Sequence, residues 1–348
     1  LVVSNSTGAQ IGGSDPTERN IFGYCSNSCI EVTGSGTSDV TIQGNYIGLG
    51  SDGITSLDSS FNTGTVRQAL VIEDGADDIK IGGTAAGQGN SVEHSAYGAI
   101  LAQDSNNISI LGNRILYNFS NHSGITFGGV TNSIIGSSGS GKNIISGNLT
   151  YALNIINSSV SNAPSNNLTI EGNNIGVMGD NTTAFPNGQS VIVAEDSQEV
   201  LISDNKIQNS APNPSNVGGW HGVELYGNPQ SVSILGNSIY NNKLRGISLY
   251  GTSTPDNLDT DTGPNGGLNY PGYTSIVENG GDTDVVFTMD VPAGDYRVEF
   301  FSNDVADPDY PGEGQTFIGF ANVTSSGLGN QEFAHTLTGI NYDNLSLT

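Results

Sequence analysis

Paired acidic residues offer the first chemistry in this chain. Asp77 and Asp78 stand side by side in "GADDIKIGG", ahead of an apolar alternation. Two carboxylates held together can share acid and base roles in hydrolysis, given a histidine or a water placed between them. The nearest echoes of such a partner are His122 in "NHSGI" and His221 in "WHGVE", while Arg67, Arg114 and Arg245 are scattered. Aspartate before a strand also bonds to its own backbone in turns. That reading takes Asp77 and Asp78 as turn residues and assigns no catalytic residue.

A second acidic group sits in "TSTPDNLDTDTGPNGGLNYPGY" (252–273), where Asp256, Asp259, Asp261 and Asn265 fall within ten residues. Hard oxygen donors at close spacing suit Ca²⁺, which takes six to eight of them. Asn257, Asp259 and Asp261 alternate as in an EF-hand loop, but Gly263 comes one place late. The rival reading is a solvated linker with ordinary turn aspartates. "NDVADPDYPGEG" (Asp304, Asp307, Asp309, Glu313) is a similar acidic loop.

Aromatic residues give a third candidate. "GVELYG" and "GISLYG" repeat 24 residues apart, so Val223, Leu225, Ile247 and Leu249 share one face and Tyr226 and Tyr250 the other. Those tyrosines are expected to stack outward, with Glu224 and Ser248 beside them and Trp220 and His221 at the strand entry. Exposed rings with polar neighbours stack on sugars or contact a partner, although an aromatic ladder also stabilises a sheet by itself.

Composition limits the partners. Nine Lys and Arg oppose 34 Asp and Glu, a net charge of −25. Nucleic acid and anionic membranes need basic surface, so both are excluded. No apolar run is long enough to cross a bilayer in this segment. Neutral glycans, cations and other surface proteins remain. Cys25 and Cys29 in "YCSNSC" are the two cysteines. A small-loop disulfide formed in an oxidising, extracellular compartment is preferred over a metal site, which would need more ligands nearby. Candidate N-glycosylation sequons occur at Asn5, Asn107, Asn118, Asn121, Asn148, Asn157, Asn167, Asn181, Asn322 and Asn344. Composition alone produces about eight, so they permit glycosylation without arguing for it.

The elements that must carry these groups are legible as a repeat. "VTIQGNYIGLG", "ISILGNRIL", "LTIEGNNIG", "VLISDNKIQ" and "VSILGNSIY" share a template: two apolar residues two apart, Asn three later, and Ile two beyond that. Alternation at two is the strand period. The inward set resumes after five places (Ile42 to Ile47), an odd step that would put Ile47 on the wrong face of a continuous strand. The chain must therefore turn a corner at Gly44-Asn45, for which Gly and Asn tolerate the left-handed conformation. A second series, from "CIEVTG" and "ALVIEDG" to "GISLYG", precedes each corner at intervals of roughly 24 to 40 residues. Each coil thus holds two strands, an Asn corner and a short third strand. Some eight coils about 4.8 Å apart make a rod of roughly 40 Å.

This repeat resembles that of the pectin-lyase-like right-handed parallel β-helices over about residues 9–252. The resemblance implies an all-β fold and a groove along the helix in which lyases and hydrolases of that family act on polysaccharides, the lyases with Asp-bound Ca²⁺ and an Arg or Lys base. No Gly-His-Gly follows Asp77-Asp78 on later coils, so enzyme activity is not the preferred expectation. After the connector (253–273) the pattern changes to "DVVFTMDV", "YRVEFFSND", "QTFIGFANVT" and "EFAHTLTG", which reads as an antiparallel Ig-like sandwich over 274–348. The order of connector and sandwich is similar to that in non-catalytic prokaryotic surface proteins. The resulting expectation is an extracellular, secreted or cell-surface structural protein or adhesin, a layer or filament subunit. Head-to-tail self-association is expected to involve "LVV" at residues 1–3 as a joining strand.

Overall fold

The computed structural model describes residues 1–57, 68–118, 123–208, 210, 221–250, 255–304, 313–340 and 345–348. Arg67, His122, Trp220, Asp307, Asp309 and the sequons at Asn121 and Asn344 lie outside the described residues.

Among the described residues, three parallel sheets share the first 250 positions. A nine-stranded sheet runs from Val2–Ser4 to Ile247–Leu249, an eight-stranded sheet from Gln10–Gly12 to Gln230–Leu235, and a second eight-stranded sheet from Ile21–Phe22 to Ser238–Tyr240. The chain visits these first, second and third sheets in rotation and pairs each strand with its equivalents one coil away. The result is a parallel β-helix wound in the right-handed sense of parallel crossovers. Of the "LVV" at residues 1–3, Val2 and Val3 fall in the strand Val2–Ser4, which pairs in parallel with Ile30–Thr33.

The alternating apolar residues fill the interior. Val40, Ile42 and Ile47 are buried together despite the odd step between them. The corner is made by Gly44, whose φ of +67° is left-handed and whose absent Cβ would meet the Gly13 carbonyl oxygen at 2.0 Å. Any side chain there would collide with the neighbouring coil's backbone. Asn45 follows and joins a column that begins at the exposed Asn20 and continues through the buried Asn45, Asn90, Asn113, Asn143, Asn173, Asn205 and Asn237. Each Oδ1 from Asn45 onward accepts from both the backbone N–H and the Nδ2 of the asparagine one coil earlier. Each Nδ2 from Asn45 onward also donates to the isoleucine carbonyl of the preceding coil. The corner's polar groups are thereby satisfied without water. Asn20, Asn90 and Asn143 escape the sequence template because loops such as "GGTAAGQG" intervene between strand and corner.

A second column stands where the third sheet turns into the first: Asn118, Asn148, Asn187, Ser210 and Asn242, with Asn118 Nδ2 donating to Asn148 Oδ1 at 2.8 Å, Asn148 Nδ2 to Asn187 Oδ1 at 3.0 Å and Ser210 N–H to Asn242 Oδ1 at 3.1 Å. Its sequence signal is an Asn three places after the third-sheet isoleucine in Ile115–Asn118, Ile145–Asn148 and Ile239–Asn242.

Among the described residues, the sandwich has two three-stranded sheets. One holds Gly272–Asn279, Asp282–Met289 and Gln331–Leu337; the other holds Thr316–Ser325, Gly294–Ser302 and Leu345–Leu347. Val285, Phe287, Val298 and Phe300 form its core. The opposite face of Gly294–Ser302 sits on the end of the helix, where Glu299 Oε2 accepts from Gly236 N–H at 2.7 Å. Gly314 carbonyl bridges to Ile239 N–H at 2.7 Å, and Glu313 Oε1 accepts from Asn242 N–H at 3.0 Å. Glu313 thus occupies the place of the next ladder asparagine. A void of about 10 Å³ remains at the joint, between Ile239, Ile247 and Phe301.

Candidate functional site

The last strands of the first sheet carry the tyrosine pair. Leu225 aligns with Leu249, and one place on, Tyr226 and Tyr250 point outward. They are 45 % and 56 % exposed, with ring centroids 4.6 Å apart and planes inclined by 54°. The rings therefore form a tilted cradle rather than one flat platform.

Glu224 and Ser248 depart from expectation. They share the outward column, yet are 6 % and 8 % exposed. For Glu224 the reason is a polar cluster that sequence spacing did not reveal. Gln189 Nε2 donates to Glu224 Oε2 at 2.5 Å, and Tyr151 and His221 stand close enough to feel its charge. Burial first, and then the Glu224 charge, push the Tyr151 phenol upward. Burial lowers the His221 pKa, and the Glu224 charge opposes that shift. His221 Nδ1 accepts from Arg245 N–H at 3.2 Å, which leaves Nε2 to carry the proton of the neutral ring. Tyr151 and Gln189 lie 38 residues apart on different coils and are paired by the sheet register. Glu224 and Gln189 are buried beside the rings, so what this end of the sheet presents outward is the pair of aromatic faces.

In the connector, one carboxylate oxygen each from Asp256, Asp259 and Asp261 lies within 4.8 Å of the others. Asp256 accepts from Thr260 N–H and from Thr260 Oγ at 2.6 Å, and Asp259 Oδ1 accepts from Asn269 N–H at 2.9 Å. The hydroxyl bond from Thr260 lowers the Asp256 carboxyl, whereas burial, with the charges of Asp261, Asp256 and Asp290 added, raises Asp259. Asn265 does not join them. Its Nδ2 donates to the Val232 carbonyl at 2.7 Å and its Oδ1 accepts from Val232 N–H at 3.0 Å, so both ends of the amide cap the free edge of the last second-sheet strand. In the other acidic loop, Glu313 is the terminal ladder rung and Asp304 grips Gln315 Nε2 at 2.7 Å. Neither joins the group of mutually close carboxylates formed by Asp256, Asp259 and Asp261.

Asp77 and Asp78 begin a second-sheet strand. Asp77 Oδ1 accepts from Asn106 and Asn107 Nδ2, both at 3.0 Å. Asp78 belongs to a left-handed column with Asp39, Asn107, Asn132, Asn167, Glu199 and Ser231, one per coil. Cys25 and Cys29 form a disulfide. Among the sequons, Asn5, Asn107, Asn167, Asn181 and Asn322 are exposed, and Asn118, Asn148 and Asn157 are buried. Asn118 and Asn148 are ladder rungs, so this packing leaves no room for a glycan on either.

Fold and site together define a parallel β-helix rod closed at one end by an Ig-like sandwich, with a tyrosine strip beside a buried carboxylate. No protein-family model matches the chain, and no curated protein matches it.

Proposed function

We propose that the chain is an extracellular, non-catalytic surface protein of the pectin-lyase-like kind, a rigid spacer in a surface layer, filament or adhesin. The observation that carries this reading is the pair of amide ladders, one of which ends on the sandwich's own Glu313. Side-chain ladders of this kind stiffen the rod along its axis and tie its end module to it. The oxidised Cys25–Cys29 pair agrees with an extracellular setting. Association between copies would be head to tail along the rod axis, with "LVV" at residues 1–3 as the joining strand.

The Tyr226–Tyr250 cradle beside Glu224 favours a second reading, contact with neutral glycans. One set of measurements separates these readings from an enzyme. The expected result is ordered polymers by electron microscopy and no product from a glycan panel, with or without Ca²⁺. Glycan binding that disappears in Tyr226→Ala and Tyr250→Ala, without polymers, would replace the structural role by the binding one. Released oligosaccharide would refute both.

A further inference from the structure

We propose that the connector binds Ca²⁺ through Asp256, Asp259 and Asp261, with Asp290 of the sandwich at its margin, and that the ion pins the sandwich to the helix end. Two oxygens bound to one Ca²⁺ at 2.3–2.6 Å can be no more than about 5 Å apart. The three carboxylates meet that limit, with oxygens mutually within 4.8 Å.

Acidic residues cluster on many surfaces without a ligand, but two oxygens here are different. Asp261 Oδ1 and Asp290 Oδ1 are sealed from solvent and accept no hydrogen bond. A buried carboxylate oxygen without a protein donor is among the costliest groups to bury, and a cation answers that cost directly. Among the described residues, no lysine or arginine forms an ion pair with any of the four aspartates. Asn269 ties the loop to the sandwich, since its Nδ2 donates to both the Asp256 and the Asp290 carbonyl oxygens at 2.9 and 2.7 Å. The donors are all oxygen, without His or Cys, which disfavours Zn²⁺. Several carboxylates on an irregular loop suit the large, loosely directed shell of Ca²⁺ better than the strict octahedron of Mg²⁺. Asp290 follows the strand Asp282–Met289, and Asn265 of the same connector is clamped to Val232. An ion in this loop therefore sits between a point fixed on the helix and a point fixed on the sandwich.

The inference rests on these oxygens and not on the structural role above. It is tested on the full chain after stripping with EDTA. Titration with CaCl₂ should give a saturating heat, with affinity near that of extracellular modules, about 0.1–1 mM. Excess CaCl₂ should raise Tm by about 3–6 °C over EDTA. Asp261→Asn should abolish both effects while melting in EDTA no lower than the wild type, because it removes a buried charge; Asp290→Asn should weaken binding and fold equally well. The proposal is overturned if CaCl₂ gives no heat and no Tm shift, if Asp261→Asn retains the full response, or if MgCl₂ reproduces it at the same concentration. Polymer formation without Ca²⁺ binding would overturn this inference and leave the structural role intact.

Discussion

At the scale of single residues, Asp52 and Asp180 show how local hydrogen bonds set charge and stability. Each begins a short turn and accepts from a threonine hydroxyl and from two backbone N–H groups, Ile54 and Thr55 for Asp52, Thr182 and Thr183 for Asp180. These donors, the hydroxyl foremost, stabilise the charged form and hold both carboxyls at about 2 against an ordinary 3.8. A carboxyl lowered on folding stabilises the turn above about pH 4 and loses that contribution as pH falls toward 2. Corrected amide exchange at Thr182 and Thr183 should therefore accelerate over that interval, and Asp180→Asn should flatten the pH dependence. Equal slopes in both proteins would refute the assignment. At this scale the sequence also revealed Tyr226 and Tyr250, since a spacing of one coil puts both outward. It did not reveal the burial of Glu224, because Gln189 and Tyr151 reach it from other coils.

At the scale of elements, the asparagine columns decide stability. Asn113 accepts from Asn90 N–H and Nδ2 and donates to the Ile81 and Leu111 carbonyls and to Asn143 Oδ1. Asn113→Ala would strand several of these buried groups, and each unsatisfied one costs about 1–3 kcal/mol. We expect a loss of about 3 kcal/mol or more in chemical denaturation, against about 0.5 kcal/mol for Asn322→Ala, at an exposed position without left-handed backbone. Similar losses at both sites would refute the role given to the ladder. Five corners were legible because strand, Gly or Asp, and Asn follow without interruption. Three rungs were not, because inserted loops lengthen the step while sheet pairing still returns Asn20, Asn90 and Asn143 to the same column. The second column was hidden differently: Asn118 and Asn148 read as sequons until their burial was known.

At the scale of the whole molecule, helix and sandwich are one unit. Glu313 is 6 % exposed, and its carboxylate terminates a ladder that began more than a hundred residues earlier in the chain. Glu313→Ala should uncouple the two parts, with a loss of about 1–3 kcal/mol and faster proteolysis of the connector. Glu313→Gln keeps an acceptor for Asn242 N–H and should stay near the wild type. If Ala and Gln behave alike, the capping role fails.

The sequence by itself determined the coil, its parallel pairing, the corner and the change to an antiparallel module, because these depend on local periodicity and on what Gly and Asn tolerate. Tertiary structure decided which polar groups are free to act. Asn265 and Glu313 had the composition of ligands and became caps, whereas Asp261 and Asp290, 29 residues apart, were left with oxygens that nothing in the fold satisfies. Periodicity records the face a side chain takes. Whether its hydrogen bonds are spoken for depends on which distant strand ends beside it.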